Sequence, residues 1–227
     1  MPRQQRLLIT FKGIFGTTAA PVERWQTSLT VKPNGDFGGT VPTAAQALQI
    51  ATDAGGSFGV QVMTILQPSC RLIQTDVRFI GDDNKQPKDA NGAFIGQAAY
   101  NQDVGSTVQG SPYYPYQSAI VASLLTSRAG PTGRGRMYLP APQYPLGADG
   151  LIPAANVASI ALRIQALINA VNTSVGVVLP TYDDVSIVST MGHTTKVTGV
   201  RVGRALDTHR SRRGDLLEMP SPIQSIA

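Results

Sequence analysis

Alternation of apolar and polar residues is clearest near the N-terminus, where it predicts two β-strands. Residues 7–16 are apolar and rich in β-branched and aromatic side chains. Residues 23–31 follow the two-residue period of a half-buried strand. The residues expected on its buried face are Trp25, Thr27, Leu29 and Val31. Residues 33–36 (PNGD) then predict a turn, because Asn and Gly tolerate positive φ and Pro presets the bend.

A helical period begins after Thr43, which suits an N-cap, and the Ala-rich segment that follows predicts about three turns of helix. The glycines at 55 and 56 are expected to end it. Residues 58–66 and 69–80 predict two further strands separated by Pro68. Within the second of these strands the apolar phase changes near residues 74–76, which indicates a bulge or kink.

The middle of the chain is less regular. Residues 81–111 contain scattered Gly, Asp and Asn and predict a long loop of the kind that usually serves an interaction. Residues 119–125 form an apolar run that predicts a buried strand, with a helix as the alternative. Residues 128–136 predict a basic loop punctuated by glycines.

The longest helical pattern covers residues 153–173, with apolar positions at i, i+3, i+4 and i+7 and Pro153 in the first turn. Residues 176–179, 184–191 and 196–202 predict strands, and the residues from 207 onward predict a tail. Short strands punctuated by Gly and Pro, together with two helices, indicate a mainly β protein. We expect one domain over residues 1–206 with a β-sandwich or jelly-roll-like fold, and no sequence repeat of fixed period is visible.

Composition excludes several classes of function. Of 227 residues, 15% are charged, which is below the roughly 25% of typical soluble domains. A single Cys and two His exclude a disulfide framework and a Cys- or His-rich metal centre, and we expect no cofactor. No apolar run approaches the ~18 residues of a membrane span. The basic N-terminus lacks the apolar stretch and cleavage site of a secretory signal.

Catalytic motifs are also missing, so we expect no enzyme. The pairs Asp82–Asp83 and Asp183–Asp184 are adjacent in sequence, which favours Asx turns over a general acid and base pair. Residues 130–136 (GPTGRGR) resemble a phosphate loop but lack its G-K-[ST] ending.

Positive charge is concentrated in the second half, and Arg outnumbers Lys 14 to 5. Arginine suits phosphate, carboxylate and desolvated interfaces because its planar fork donates two parallel hydrogen bonds. These arginines are candidates for contact with nucleic acid or with a neighbouring subunit, while a solvated surface is the simplest alternative. They are Arg128, Arg134, Arg136, Arg201, Arg204, Arg210, Arg212 and Arg213.

Tyrosines gather in the same third of the chain and alternate with prolines. Tyrosine offers a large amphipathic contact area at low rotamer cost, so these residues are candidate interface aromatics, with core filling as the alternative. They are Tyr113, Tyr114, Tyr116, Tyr138 and Tyr144.

The chain resembles virion structural proteins, the capsid-type subunits of small viruses and phages. The resemblance rests on its few charges, β-rich body, long polar loops, Pro/Tyr segments and basic C-terminal tail at 207–227. The resemblance implies a homo-oligomer of many copies in the virion, contact with the genome and no membrane. The chain departs from the common pattern because only Arg3, Arg6 and Lys12 are basic at the N-terminus. A nucleic-acid-binding module and a carbohydrate-binding β-sandwich remain as alternatives.

Overall fold

The computed structural model describes residues 5–16, 19, 21–33, 39–66, 70–105, 118–126, 134–140, 154–182, 187–196 and 223–226. The strands formed by these residues are β1 (Arg6–Gly16), β2 (Pro21–Val31), β3 (Cys70–Ile80), β4 (Gln97–Gly105), β5 (Ser118–Thr126), β6 (Arg134–Pro140), β7 (Ile187–Lys196) and β8 (Ile223–Ile226). The helices are α1 (Ala44–Gln61) and α2 (Ala154–Val178). A single turn of 3-10 helix follows each of them, at Met63–Ile65 and Pro180–Tyr182.

The first sheet has the strand order β2-β1-β3-β4, and every neighbouring pair is antiparallel. Strands β2 and β3 therefore run in the same direction on either side of β1. Helix α1 connects β2 to β3 and packs against the sheet. This is a split β-α-β arrangement, in which the crossover helix covers one face of the sheet.

The second sheet repeats this plan. Its order is β6-β5-β7-β8, all pairs are antiparallel, and α2 connects β6 to β7. Each half of the chain is therefore a ββαββ unit with the same strand order. The two helices differ in how they pack: Gly55 and Gly59 bring α1 close to β4, whereas α2 contributes a stripe of apolar residues to the core.

The core lies between the first sheet, α1 and α2. Alternate residues of β1 are fully buried, and the face of β2 predicted to be buried is confirmed, with Trp25 5% exposed. The ring of Phe58 in α1 lies at the centre, with its centroid 4.3 Å from that of Phe11 and 6.0 Å from that of Trp25. Aromatic contacts at these separations add to the stabilisation from burial.

Helix α1 begins as predicted. Thr43 is the N-cap: its hydroxyl accepts a hydrogen bond from the Gln46 backbone N–H, while the Gln46 side chain accepts one from the Thr43 N–H. This reciprocal pair is a capping box, which satisfies two backbone donors that the helix itself leaves unpaired.

The predicted end of α1 is wrong, because the helix continues through Gly55 and Gly56 to Gln61. A Cβ on Gly55 would lie 2.5 Å from the Gln102 side-chain nitrogen, so glycine lets the helix backbone come close to the sheet. Packing thus outweighs the roughly 1 kcal/mol that each glycine costs a helix. The strand predicted over residues 58–66 is therefore the end of α1 and a 3-10 turn, which supply buried residues such as Phe58 and Met63 to the core.

Strand β3 is confirmed, and its irregularity falls at Ile73, one residue before the predicted position. On β1, Lys12 pairs with Gln74 and the next residue, Gly13, pairs with Leu72, so Ile73 is the extra residue of a bulge in β3. The long loop predicted over residues 81–111 is wrong for residues 97–105, which form β4. Its polar and alanine residues suggested a loop, but pairing with β3 satisfies their backbone groups.

Helix α2 is confirmed and extends beyond its predicted end at residue 173. The strand predicted over residues 176–179 is wrong, because residues through Val178 continue the helix. Contacts with α1 explain the extension: the Ser174 hydroxyl donates to Asp53 at 2.6 Å, and the Gln46 side-chain amide donates to the Val178 carbonyl at 3.3 Å. Apolar residues of α2 from Ile160 to Val175 join the same core, as does Leu179 just after the helix.

The remaining predictions concern the second sheet. The strand predicted over residues 119–125 is confirmed as β5, and the strand predicted over 184–191 corresponds to β7. The loop predicted over residues 128–136 is wrong from Arg134 onward, because Arg134 and Arg136 belong to β6, which pairs along β5. The turn predicted over residues 33–36 and the strand predicted over residues 196–202 lie outside the described residues except for Pro33 and Lys196. Strand β8 falls within the segment predicted as a tail and pairs with β7.

Antiparallel β structure with two helices is therefore confirmed. In the described residues, each helix is the crossover connection between two strands of one sheet. Both helices are longer than the sequence predicted, so more of the chain is helical than expected. A jelly roll is not shown by these residues and stays a prediction.

Candidate interaction surfaces

The residues predicted to make contacts are only partly within the described chain. Arg134, Arg136 and Tyr138 lie in β6, the outer strand of the second sheet. The remaining candidates lie outside the described residues: Arg128, Arg201, Arg204, Arg210, Arg212, Arg213, Tyr113, Tyr114, Tyr116 and Tyr144.

The first sheet presents a surface that the sequence did not identify. We name it the open face: the side of the sheet opposite α1, formed by the residues that alternate with the core positions. The strand register arranges these residues in four rows across β2, β1, β3 and β4. The rows are Arg24, Ile14, Arg71, Gly105; Gln26, Lys12, Gln74, Asn101; Ser28, Thr10, Asp76, Ala99; and Thr30, Leu8, Arg78, Gln97.

Basic side chains dominate the charge of the open face. Arg24 is exposed, the side chain of Arg78 is 49% exposed and that of Arg71 is 32% exposed. Lys12 and Arg6 add two further basic groups. The carboxylates on this surface are those of Asp76 and Asp103, so the described side chains of the open face carry a positive excess.

Polar side chains connect the strands between these charges. The Lys12 ammonium donates to the Gln74 side-chain oxygen at 3.2 Å, and the Gln74 amide donates to the Asn101 side-chain oxygen at 2.9 Å. In the next row the hydroxyls of Thr10 and Ser28 lie 3.1 Å apart. Cross-strand contacts of this kind hold side chains in fixed positions on a rigid sheet.

Asp76 organises the centre of the open face. Its side chain is 7% exposed, and one carboxylate oxygen pairs with Lys12 and lies 3.6 Å from the Arg78 guanidinium. The other oxygen, Oδ1, is buried and has no hydrogen-bond partner among the described residues. A buried carboxylate is stabilised only when cations lie beside it. Asp76 therefore fixes the positions of Lys12 and Arg78 and neutralises part of their charge.

Strand β4 provides a second surface, because it is the outer strand of the first sheet. The Phe79 N–H donates to the Gly96 carbonyl at 2.7 Å, and hydrogen-bonding direction alternates along antiparallel strands. Ala98 and Tyr100 therefore direct their backbone groups toward β3. Ala99 and Asn101 direct theirs away from β3, toward the side on which no other described strand pairs with β4.

Groups that could carry chemistry are placed as core or turn residues. Cys70 is fully buried, and desolvation raises the pKa of its thiol well above the ordinary value, so it is a neutral core residue. Asp83 accepts a hydrogen bond from the Lys85 backbone N–H at 3.0 Å, which is the expected Asx turn. Trp25 packs in the core and offers no exposed ring to a sugar.

Within the described ranges, no group of three or more His, Cys, Asp or Glu side chains lies close enough to hold a metal ion. None of the helical segments in those ranges is long and apolar enough to span a bilayer.

Part of the open face could have been recognised from the sequence, because its residues alternate with apolar ones. Arg24, Gln26 and Ser28 alternate with the apolar residues of one strand, and Arg71 and Arg78 lie between the apolar residues of another. Register, which depends on hydrogen bonding between distant segments, is what brings these residues into one surface.

Comparisons with protein-family profiles, with curated proteins and with solved structures find no match to this chain.

Proposed function

We propose that this protein is a self-assembling structural subunit, and that a virion shell built from many copies is the assembly it serves. The observation that carries the proposal is strand β4, a nine-residue strand at the edge of an open antiparallel sheet. An edge strand exposes unpaired N–H and C=O groups, which makes it a template for pairing with another chain.

From Gln97 to Asn101, strand β4 has none of the usual protections against such pairing; its bulge lies beyond this segment, at Gln102 and Asp103. Natural edge strands are commonly blocked by Lys, Pro, bulges or shortening. The sequence of β4, QAAYNQDVG, contains neither Lys nor Pro, and its one charged residue is Asp103 near the C-terminal end. From Gln97 to Asn101 the strand is uncharged, and the side chains of Ala99 and Asn101 on the open face are exposed. A second chain can therefore add to this edge without desolvating a charge.

The overall topology provides a second edge. Strand β8 is the outer strand of the second sheet, while β6 lies beside β2 where the two sheets approach each other. Among the described strands, β4 and β8 each pair on one side alone. A chain that offers two such edges can contact two neighbours, as a subunit of an extended shell must.

Exposed apolar side chains on the helices offer further contacts. Of the large apolar residues exposed within the described ranges, four lie on α1 and α2, with Val60 64%, Leu162 71% and Val177 78% exposed. The fourth is Leu48. These side chains could add apolar contacts to an interface whose hydrogen bonds the β4 edge provides.

The proposal is tested by blocking the β4 edge. Ala99→Pro removes an N–H that faces outward, so it spares the hydrogen bonds between β4 and β3. Ala99→Lys adds a charge without changing the backbone. We expect each variant to raise the protein concentration needed for assembly at least tenfold, measured by size-exclusion chromatography with light scattering.

Ala44→Pro is the matched control. Ala44 is exposed at the first position of α1, where Pro is favoured, and Thr43 before it has the extended backbone (φ −66°, ψ 163°) that a following Pro requires. This variant should assemble like the unmodified chain. Unchanged assembly of both Ala99 variants would show that β4 is not a subunit contact.

A further inference from the structure

We propose that the open face of the first sheet binds the phosphate backbone of nucleic acid. The proposed β4 contact uses the backbone edge of that strand, whereas this site uses the basic side chains of β1, β2 and β3 on the open face. It lies in the N-terminal half of the chain, away in sequence from the arginine clusters of the C-terminal half. The inference rests on the charge and geometry of the described side chains and does not depend on self-assembly.

The distribution of charge points to a polyanion rather than a small ligand. Arg24 and Arg71 are separated by β1, which places their backbones about 10 Å apart. Arg78 is seven residues beyond Arg71 on the same strand, or roughly 20 Å. No single small anion can contact cations spread over this distance, whereas a nucleic-acid strand carries a charge on every residue.

The polar rows favour nucleic acid over an acidic protein. Side-chain amides and hydroxyls lie between the basic groups, as at Gln26, Ser28 and Thr30 of β2. Such groups commonly bind phosphate oxygens and sugars in nucleic-acid complexes, where they position the strand without reading its sequence. The described side chains of the four rows include no aromatic ring, so we expect no base stacking and little sequence preference.

Asp76 explains how a basic sheet face remains stable without its ligand. It draws Lys12 and Arg78 toward the centre of the face, while Asp103 holds Arg71 through a hydrogen bond of 2.7 Å. These ion pairs reduce repulsion among the cations and fix their geometry. A bound phosphate backbone would meet cations already held in place, at a lower entropy cost than flexible side chains require.

The test measures binding of a fluorescein-labelled 20-nucleotide oligouridine to the full chain by fluorescence anisotropy, between 50 and 300 mM NaCl. The triple variant Arg24→Gln, Arg71→Gln and Arg78→Gln removes three basic groups from the open face. Each lost phosphate contact lowers the slope of log affinity against log salt by about 0.7 for a single strand. We expect the slope to fall by about 2 and the affinity at 50 mM NaCl to fall at least tenfold.

The control removes the same charge elsewhere. The triple variant Lys85→Gln, Lys88→Gln and Arg163→Gln changes residues outside the open face, and it should retain the salt slope and an affinity within threefold of the unmodified chain. An equal loss in both triple variants would show that net charge alone attracts the oligonucleotide, and it would overturn the proposal. No change in either would overturn it as well.

Two further measurements keep the result interpretable. Arg24→Gln alone disturbs no ion pair among the described residues, so it should fold normally and still lower the slope by about 0.7.

Poly-L-glutamate of equal charge should compete at least tenfold less effectively than unlabelled oligouridine. Equal competition would identify an unselective polyanion surface and contradict the assignment to nucleic acid. Light scattering on the same samples reports assembly separately, so failure of binding and failure of assembly are distinguished.

Discussion

Replacing Ile164 with Asp is expected to destabilise the protein by about 3–5 kcal/mol, because an uncompensated charge would lie in an apolar site. Ile164 is 1% exposed and lies in the stripe of α2 that faces the shared core. Total stability of a domain is about 5–15 kcal/mol, so this loss is a large share of it. The free energy of unfolding from urea titration measures the effect.

Two variants calibrate this result. Arg163→Ala changes the adjacent, partly exposed residue and should cost less than about 0.5 kcal/mol. Ile164→Val removes one methyl group and should cost about 0.5–1.5 kcal/mol, which gives a measurable value even if the Asp variant does not fold. Small and equal effects of Ile164→Asp and Arg163→Ala would contradict the placement of α2 against the core.

Gly13→Ala is expected to destabilise the protein by about 2–3 kcal/mol through overpacking. A Cβ at Gly13 would lie 2.1 Å from the Trp25 ring and 2.3 Å from the Arg71 carbonyl oxygen. The ring cannot move freely, because it is 5% exposed and its N–H donates to the Ile14 carbonyl at 3.2 Å. Backbone and ring would both have to shift, which the midpoint of urea unfolding would detect.

Gly56→Ala is the matched control for the same change of residue. Gly56 is exposed within α1, and a Cβ there would meet nothing within 4 Å. Since Ala is favoured over Gly in a helix, this variant should stabilise the protein by about 0.5–1 kcal/mol. If Gly13→Ala were equally harmless, Trp25 would not pack over Gly13 as the structure has it.

The sequence predicted those elements whose evidence is local. Alternation identified the buried face of β2, since side chains on a strand alternate whatever the strand pairs with. Thr43 and the Ala-rich pattern after it predicted the start of α1, because an N-cap acts within the first turn of its helix. The apolar stripe of α2 was visible for the same reason.

Elements that depend on distant packing were mispredicted. Gly55 looked like the end of a helix, and only its approach to Gln102 on β4 explains why the helix continues. Strand β4 looked like a loop, because an outer strand with a polar open face has a weak hydrophobic pattern. The propensity of a segment is a weak prior, and tertiary contacts override it.

For the candidate surfaces too, local patterns were predicted from the sequence and contacts between distant segments were not. Arg71 and Arg78 were seen as polar residues between apolar ones, but their place beside Arg24 and Lys12 depends on register across three strands. Charge clusters that are contiguous in sequence drew attention to the C-terminal half. A basic surface assembled from separate strands has no such local signal.

Self-assembly is tested most directly by the mass of the purified full chain, measured by light scattering across protein and salt concentration, with and without added nucleic acid. We expect particles many times heavier than one 24.0 kDa chain, and electron microscopy of the same samples should show shells or filaments. A mass of 24.0 kDa under every one of these conditions would contradict the proposal that this protein is a structural subunit.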